Sequence, residues 1–183
     1  MDFELKQEHK LLQKAVRDFA AGELKPGVSL RDKECAFPHT LIKKMAEMGL
    51  MGMVFPQEYG GAGLDYTGYV IAVEEIARID ASAAITILAH TLCANHIFMF
   101  GTEEQKKKYL TPLAKGEKIG AWALTEPWAG SDAASRRTTA IQNEKGWALS
   151  GEKTFTTNGS FAEIMVVMAY TDKSKGAKGI SAF

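Results

Sequence analysis

Three things are scarce in this chain of 183 residues. The first is cysteine: Cys35 and Cys93 are the only two and lie far apart. That excludes a disulfide framework and fits a reducing compartment. The second is unbalanced charge. Lysine plus arginine total 22, aspartate plus glutamate total 22, and the formal net charge is zero. A nucleic-acid binder carries a basic excess, so that class is excluded. The third is any segment that reads as an export signal or a membrane span. Met1, Asp2, Phe3 and Glu4 are acidic in balance and run straight into a helical pattern, unlike a signal or transit peptide. The most apolar stretch, 81–100, carries Thr86, His90, Thr91, Asn95 and His96. It reads as a buried helix of a soluble protein rather than a membrane span. Together these absences predict a cytoplasmic protein that engages neither membrane nor nucleic acid. Internal repeats and low-complexity segments are absent as well.

Hydrophobic residues make up 46% of the chain, enough for one core or for one domain and part of another. Leu5, Leu12, Val16 and Phe19 recur at helical spacing with charged residues between them, predicting an amphipathic first helix that Gly22 and Pro26 stop. Pro38 opens a second helix over 38–48, ended by Gly49. The stretch 50–64 has no period. Helical spacing returns over 66–79, and Asp80 or Ser82 can cap the apolar helix that follows, which Gly101 ends. Thr102 and Gln105 form a capping box for a short helix ending near Leu110.

After Gly116 the period changes. Segments 119–125, 137–142, 147–149, 153–157, 164–170 and 179–183 read as short strands punctuated by Gly, Asn, Asp and Ser. The predicted fold class is therefore α+β: an all-α helical bundle over 1–117, then an incomplete antiparallel β-barrel-like domain over 118–183. No stop signal follows the last strand, and an open sheet edge is normally covered, so the β-domain is expected to be truncated.

The densest chemistry lies in Trp122-Ala123-Leu124-Thr125-Glu126-Pro127-Trp128-Ala129-Gly130-Ser131-Asp132. A strand enters a turn set by Pro127 and Gly130, with two hydroxyls and free backbone N–H groups around it. Such a corner suits a planar heteroaromatic ring rich in acceptors: backbone groups read the ring edge, and Thr125 and Ser131 donate to it. A second cluster, Lys153-Thr154-Phe155-Thr156-Thr157-Asn158-Gly159, offers an aromatic to lie against the ring, and further hydroxyls. Taken alone, the first cluster is equally an ordinary strand-to-turn corner with Asp132 as a turn cap.

Together, the Ala-Leu-Thr-Glu-Pro-x-x-Gly-Ser-Asp segment and the aromatic-x-Thr-Asn-Gly segment resemble the acyl-CoA dehydrogenase family. Glu58-Tyr59-Gly60-Gly61-Ala62-Gly63 and Phe100-Gly101-Thr102-Glu103-Glu104-Gln105-Lys106 resemble its helical domain. The resemblance covers the whole chain, in the order and spacing of all four segments, and is strongest to short-chain members. It implies oxidation of an acyl-CoA thioester to the 2,3-enoyl-CoA. A carboxylate takes the α proton, the β hydride passes to flavin N5, and an electron-transfer flavoprotein receives the electrons. It implies FAD as cofactor, an acyl-CoA substrate and a homo-oligomer, tetrameric at full length. Trp122, Leu124 and Thr125 would hold the pyrimidine edge of FAD, Phe155 would pack beside the ring with Thr156 next to it, and the Thr157 hydroxyl would reach N5. Ser131 would sit where the cofactor and the CoA arm of the substrate meet. No catalytic residue is assigned within the chain, because the family's glutamate base is expected beyond Phe183.

This sequence departs from the family at Trp128, where a smaller residue is usual, and at the basic Arg136-Arg137 pair. Either narrows the substrate channel or touches a phosphate. Two other enzyme readings share the scaffold, an acyl-CoA oxidase and a flavin monooxygenase. A reading from another class is a non-catalytic module that binds a partner subunit. Elsewhere the plain reading is preferred. Gly60-Gly61-Ala62-Gly63 lacks dinucleotide spacing and follows Pro56. His90 and His96 on one helix lie about 9 Å apart along its axis, too far for one zinc with ligands at about 2 Å; no metal is expected. Glu74 and Glu75 read as a solvated face, the methionines 45, 48, 51 and 53 as core filler, and Lys106-Lys107-Lys108 as a solvated helix face.

Overall fold

A computed structural model describes residues 4–183; the acidic opening read at Met1, Asp2 and Phe3 lies outside the described residues. The first helix, α1 (Gln7–Phe19), buries Val16 and runs on through a π-helical turn, Ala20–Leu24. Gly22 does not stop it. A mid-helix glycine costs only about 1 kcal/mol, and the completely buried Ala20 and Leu24 hold the turn in the core. The chain reverses at Gly27, in the left-handed region at φ 79°, and forms α2 (Val28–Glu34). That helix was invisible to periodicity because none of its residues is buried. Arg31 anchors it instead, donating to Leu24 O at 2.7 Å, Pro26 O at 3.0 Å and Asp80 Oδ2 at 2.8 Å.

The next helix, α3 (His39–Glu47), follows Pro38 and closes at Gly49, as expected. Asp65 caps α4 (Tyr66–Ala77), accepting from Gly68 N at 2.8 Å. Asp80, rather than Ser82, caps α5 (Ala81–Phe100), accepting from Ala83 N at 3.0 Å. The solvated reading of Glu75 is corrected: it is buried, and Arg17 at 2.7 and 3.0 Å and Arg78 at 3.4 Å neutralise it, tying α1 to α4. The Thr102–Gln105 capping box forms in both directions ahead of α6 (Glu103–Gln105). The helical path then continues through a π turn, Lys106–Leu110, into α7 (Thr111–Ala114), beyond the expected stop at Leu110. The wider turn accommodates Pro112, whose missing N–H removes one helical bond.

Five strands follow: β1 (Gly120–Ala123), β2 (Thr139–Asn143), β3 (Gly146–Ser150), β4 (Ile164–Tyr170) and β5 (Ile180–Ala182). The α+β class and the open sheet are as read from the sequence, but the sheet is mixed rather than antiparallel throughout. Its hub is β4, whose first half pairs parallel with β1, Gly120 opposite Ile164. Its end pairs antiparallel with β5 and, at Tyr170, parallel with β2. The β2–β3 hairpin is antiparallel. Residues 153–157 form no strand, because Phe155 (φ 52°) and Asn158 (φ 66°) adopt left-handed conformations that no strand tolerates.

By length and composition α5 is apolar enough to cross a membrane. Here one face of it is buried, through Ala83, Ile87, His90, Cys93 and Ala94. His90 is wholly buried: Gly120 N donates to its Nδ1 at 3.0 Å, and its Nε2 donates to Leu113 O at 3.2 Å. Both ring nitrogens are used and the neutral tautomer is fixed, so neither is free to bind a metal. Burial pushes the imidazole pKa from 6.5 down to about 4, against the raising effect of the backbone carbonyls it faces.

A folded-state pKa below the unfolded one stabilises the fold above the unfolded value, and that stability is lost as pH falls through the folded value. Urea titrations are expected to give constant stability from about pH 8 to about pH 6.5 and a loss of about 2 kcal/mol between pH 6.5 and pH 5, before the carboxylates protonate. His96, also lowered by burial, adds in the same direction. His90→Gln should remove most of that slope; an unchanged slope in the variant would contradict the assignment.

Candidate functional site

The structure brings the two chemistry-bearing segments edge to edge. Thr154 N donates to Thr125 O at 2.9 Å, and Lys153 Nζ donates to Leu124 O at 3.1 Å and Glu126 Oε1 at 2.8 Å. Leu124 and Thr125, at the exit of β1, are thereby fixed against 153–155. Trp122, within β1, is half-buried against the core cluster of Phe55, Cys93 and Val166, with its ring 6.3 Å from that of His96. Its indole Nε1 is buried and has no acceptor.

Ser131 is exposed, just past a tight turn closed by reciprocal backbone bonds between Glu126 and Ala129 at 3.0 and 3.1 Å. Phe155 is 90% exposed and held in the left-handed region. A large aromatic in that conformation is costly by about 1–3 kcal/mol and persists only where its surroundings impose it. Thr156 and Thr157 are half-buried. Thr157 lines an apolar groove of about 420 Å³ with Tyr69, Leu88, Leu92 and Asn95 from α4 and α5. Thr156 and Thr157 also border a neighbouring groove with Ser82 and Phe161.

Two residues that sequence reasoning missed hold this arrangement. Glu126, quoted in its motif without a role, is almost completely buried and accepts from Trp128 Nε1 at 2.7 Å, Arg137 N at 2.5 Å, Thr138 N at 3.1 Å and Lys153 Nζ at 2.8 Å. Burial alone would raise its pKa. The Lys153 ammonium and the donors of Thr138 and Arg137 outweigh that and hold it at about 2. Asn158, buried, donates its Nδ2 to Thr86 O on α5 and to Gly120 O on β1, both at 3.0 Å. A glutamate before proline reads as a solvated turn, so nothing local signalled Glu126. The left-handed Asn158 was hinted at by its place before Gly159.

Within this fold and geometry, the chain matches the family model described as acyl-CoA dehydrogenase, N-terminal domain, over residues 6–117 and the middle-domain model over 121–183. The chain belongs to the acyl-CoA dehydrogenase family. It is 49% identical over its whole length to a short-chain specific acyl-CoA dehydrogenase of Clostridium acetobutylicum, of which it covers 48%. It superimposes on butyryl-CoA dehydrogenase of Megasphaera elsdenii with a TM-score of 0.95 at 46% identity, covering all of this chain and 49% of that one. A glutaryl-CoA dehydrogenase of Mycobacterium smegmatis in complex with FADH2 gives a TM-score of 0.91 at 34% identity, over 98% of this chain and 45% of that one. The chain spans about half the length of the relatives it matches.

Glu126→Gln keeps shape but leaves the nearly buried Lys153 ammonium without its counter-ion. Removing one partner of a buried pair costs about 3–5 kcal/mol. A loss near 3 kcal/mol is expected in chemical denaturation, and a loss below about 1 kcal/mol would show that the carboxylate is not the bolt described.

Proposed function

We propose that this chain supplies the flavin-facing half of a FAD-dependent acyl-CoA dehydrogenase that converts a short-chain acyl-CoA thioester to the 2,3-enoyl-CoA. The observation that carries the reading is the bond from Thr154 N to Thr125 O, which aligns the two segments that the family resemblance assigns to one ring. The residues fit a large planar ligand: Trp122 Nε1 is an orphaned buried donor, and Phe155 presents an almost fully exposed ring from a strained backbone. FAD, when bound, supplies the acceptor for the β hydride. Trp122, Leu124 and Thr125 would hold its pyrimidine edge, Phe155 and Thr156 would flank the ring, and the Thr157 hydroxyl would supply a hydrogen-bond donor to N5. Ser131 lies beside the CoA arm. The groove between Thr157 and α5, walled by Leu88 and Leu92, offers an apolar surface for the acyl chain.

Removal of an α proton next to a thioester requires a positioned base. No carboxylate lines either groove beside Thr157. Glu126 is committed to four donors, Glu75 to Arg17 and Arg78, and Asp80 to Arg31 and the start of α5. Their commitments support a reading in which the base of the proposed reaction comes from outside the described residues. An electron-transfer flavoprotein as acceptor, a homo-oligomeric and at full length tetrameric assembly, a role in fatty acid metabolism and a cytoplasmic setting complete the proposal.

Two measurements test it together. The 183-residue chain, given FAD, butyryl-CoA, octanoyl-CoA and an artificial electron acceptor, should bleach no dye above a heat-killed control; turnover would place a base within it. In a flavin-loaded protein carrying this chain together with its base, butyryl-CoA should reduce the flavin anaerobically. Thr157→Val should slow that step by about 2–4 kcal/mol of transition-state stabilisation. Reduction at the parent rate would remove Thr157 from the site, and no reduction of the parent would remove the function.

A further inference from the structure

Arg137 stands apart from the other arginines. The chain has five, at 17, 31, 78, 136 and 137. Arg17 and Arg78 pair with Glu75, Arg31 with Asp80, and Arg136 Nε donates to Ala133 O at 2.7 Å. Among the described residues the Arg137 guanidinium has no carboxylate or carbonyl partner; its contact is the face of Trp128, 4.8 Å from the ring centroid. The indole is itself fixed, because its Nε1 donates to the buried Glu126, and yet 41% of Trp128 is exposed. A flexible exposed cation is thus held over a fixed ring, with its planar fork of N–H donors unspent among the described residues.

The buried carboxylate that holds Trp128 is already taken, because Glu126 is neutralised by Lys153. Asp132, which accepts from the Ser135 hydroxyl, keeps its charge. Arg136, next in sequence and buried, has an Nη1 with no acceptor among the described residues. Two consecutive arginines, one buried and one exposed, therefore have no carboxylate partner among the described residues, in the segment that also carries the exposed Ser131.

We infer that Arg137, pre-set by Trp128, is a recognition residue for the phosphate or diphosphate group of a nucleotide ligand of this site. Planar guanidinium forks match phosphate oxygens bidentately, and stacking on an aromatic removes the entropy that an exposed arginine would otherwise lose on binding. The inference rests on the proposed function for the two ligands that carry such a group there, the CoA arm of the substrate and FAD. The glutamate and both backbone donors around Trp128 are untouched when only the Arg137 side chain is changed, so the site can be probed without dismantling the turn.

The test is calorimetric binding to the chain and to its Arg137→Gln, Arg137→Lys, Trp128→Ala and Trp128→Phe variants. The probes are coenzyme A, pantetheine, FAD, riboflavin and inorganic pyrophosphate. Arg137→Gln should weaken a phosphate-bearing ligand about tenfold or more while leaving its phosphate-free counterpart unchanged. A loss for coenzyme A but not pantetheine assigns the group to the CoA arm, and a loss for FAD but not riboflavin assigns it to the cofactor. Arg137→Lys should recover part of the loss, Trp128→Ala should share it, and Trp128→Phe, which keeps an aromatic face but loses the Nε1 anchor on Glu126, should fall between Trp128→Ala and the parent. Pyrophosphate binding that depends on Arg137, in a chain that binds neither nucleotide, would uphold the site and count against the enzyme reading. Equal losses for pantetheine and coenzyme A, or no Arg137-dependent binding of any phosphate, would overturn the inference.

Discussion

The helical layer and the sheet are joined at Gly120, and the candidate site hangs from that joint. Both polar groups of its backbone are taken by side chains from elsewhere: the N–H by His90 of α5, the carbonyl by Asn158. A side chain there has no room, since a Cβ would lie 3.1 Å from Cys93 and 3.2 Å from Leu113. Burying those groups unpaired would cost about 1–3 kcal/mol each. The pairing therefore fixes where β1 leaves the helical core, and with it the direction in which Trp122, Leu124 and Thr125 travel. The same Asn158 side chain reaches Thr86 on α5, so the loop carrying Phe155, Thr156 and Thr157 is tied to both layers at once.

Charge completes what the joint begins. Glu126 takes four donors drawn from three separate stretches of chain, and Lys153 spends its ammonium on Glu126 and Leu124 O. One buried carboxylate thus closes the Pro127–Gly130 turn, orients Trp128 and holds the two segments of the candidate site together. A carboxylate held at about 2 cannot act as a base near neutral pH. The most buried acid beside the candidate site is therefore a strut.

Much of the fold was legible in the sequence. Asp65, Asp80 and the Thr102–Gln105 box mark helix starts because short polar side chains there satisfy backbone donors that nothing else reaches. The apolar 81–100 run and the change of period after Gly116 divided helices from strands. Elements that rest on tertiary contacts were not legible: α2 depends on Arg31 reaching Asp80, which is distant in sequence, and the helical path past Leu110 needs a π turn. Parallel pairing of β1 with β4 is set by the Gly120 joint, which no local pattern announces. At the site, motif spacing located the segments and their hydroxyls. Glu126 and Asn158 escaped it because their partners lie in other elements; Lys153 was noticed only as part of its segment.

Hydrogen exchange at the Gly120 amide tests the joint most directly. Donated to a wholly buried imidazole, that N–H is predicted to exchange only through global unfolding, with a protection free energy equal to the stability of the whole chain. Exchange at the rate of an exposed turn amide such as that of Gly130 would mean that helices and sheet open independently at β1, and the account of how the site is held would fail.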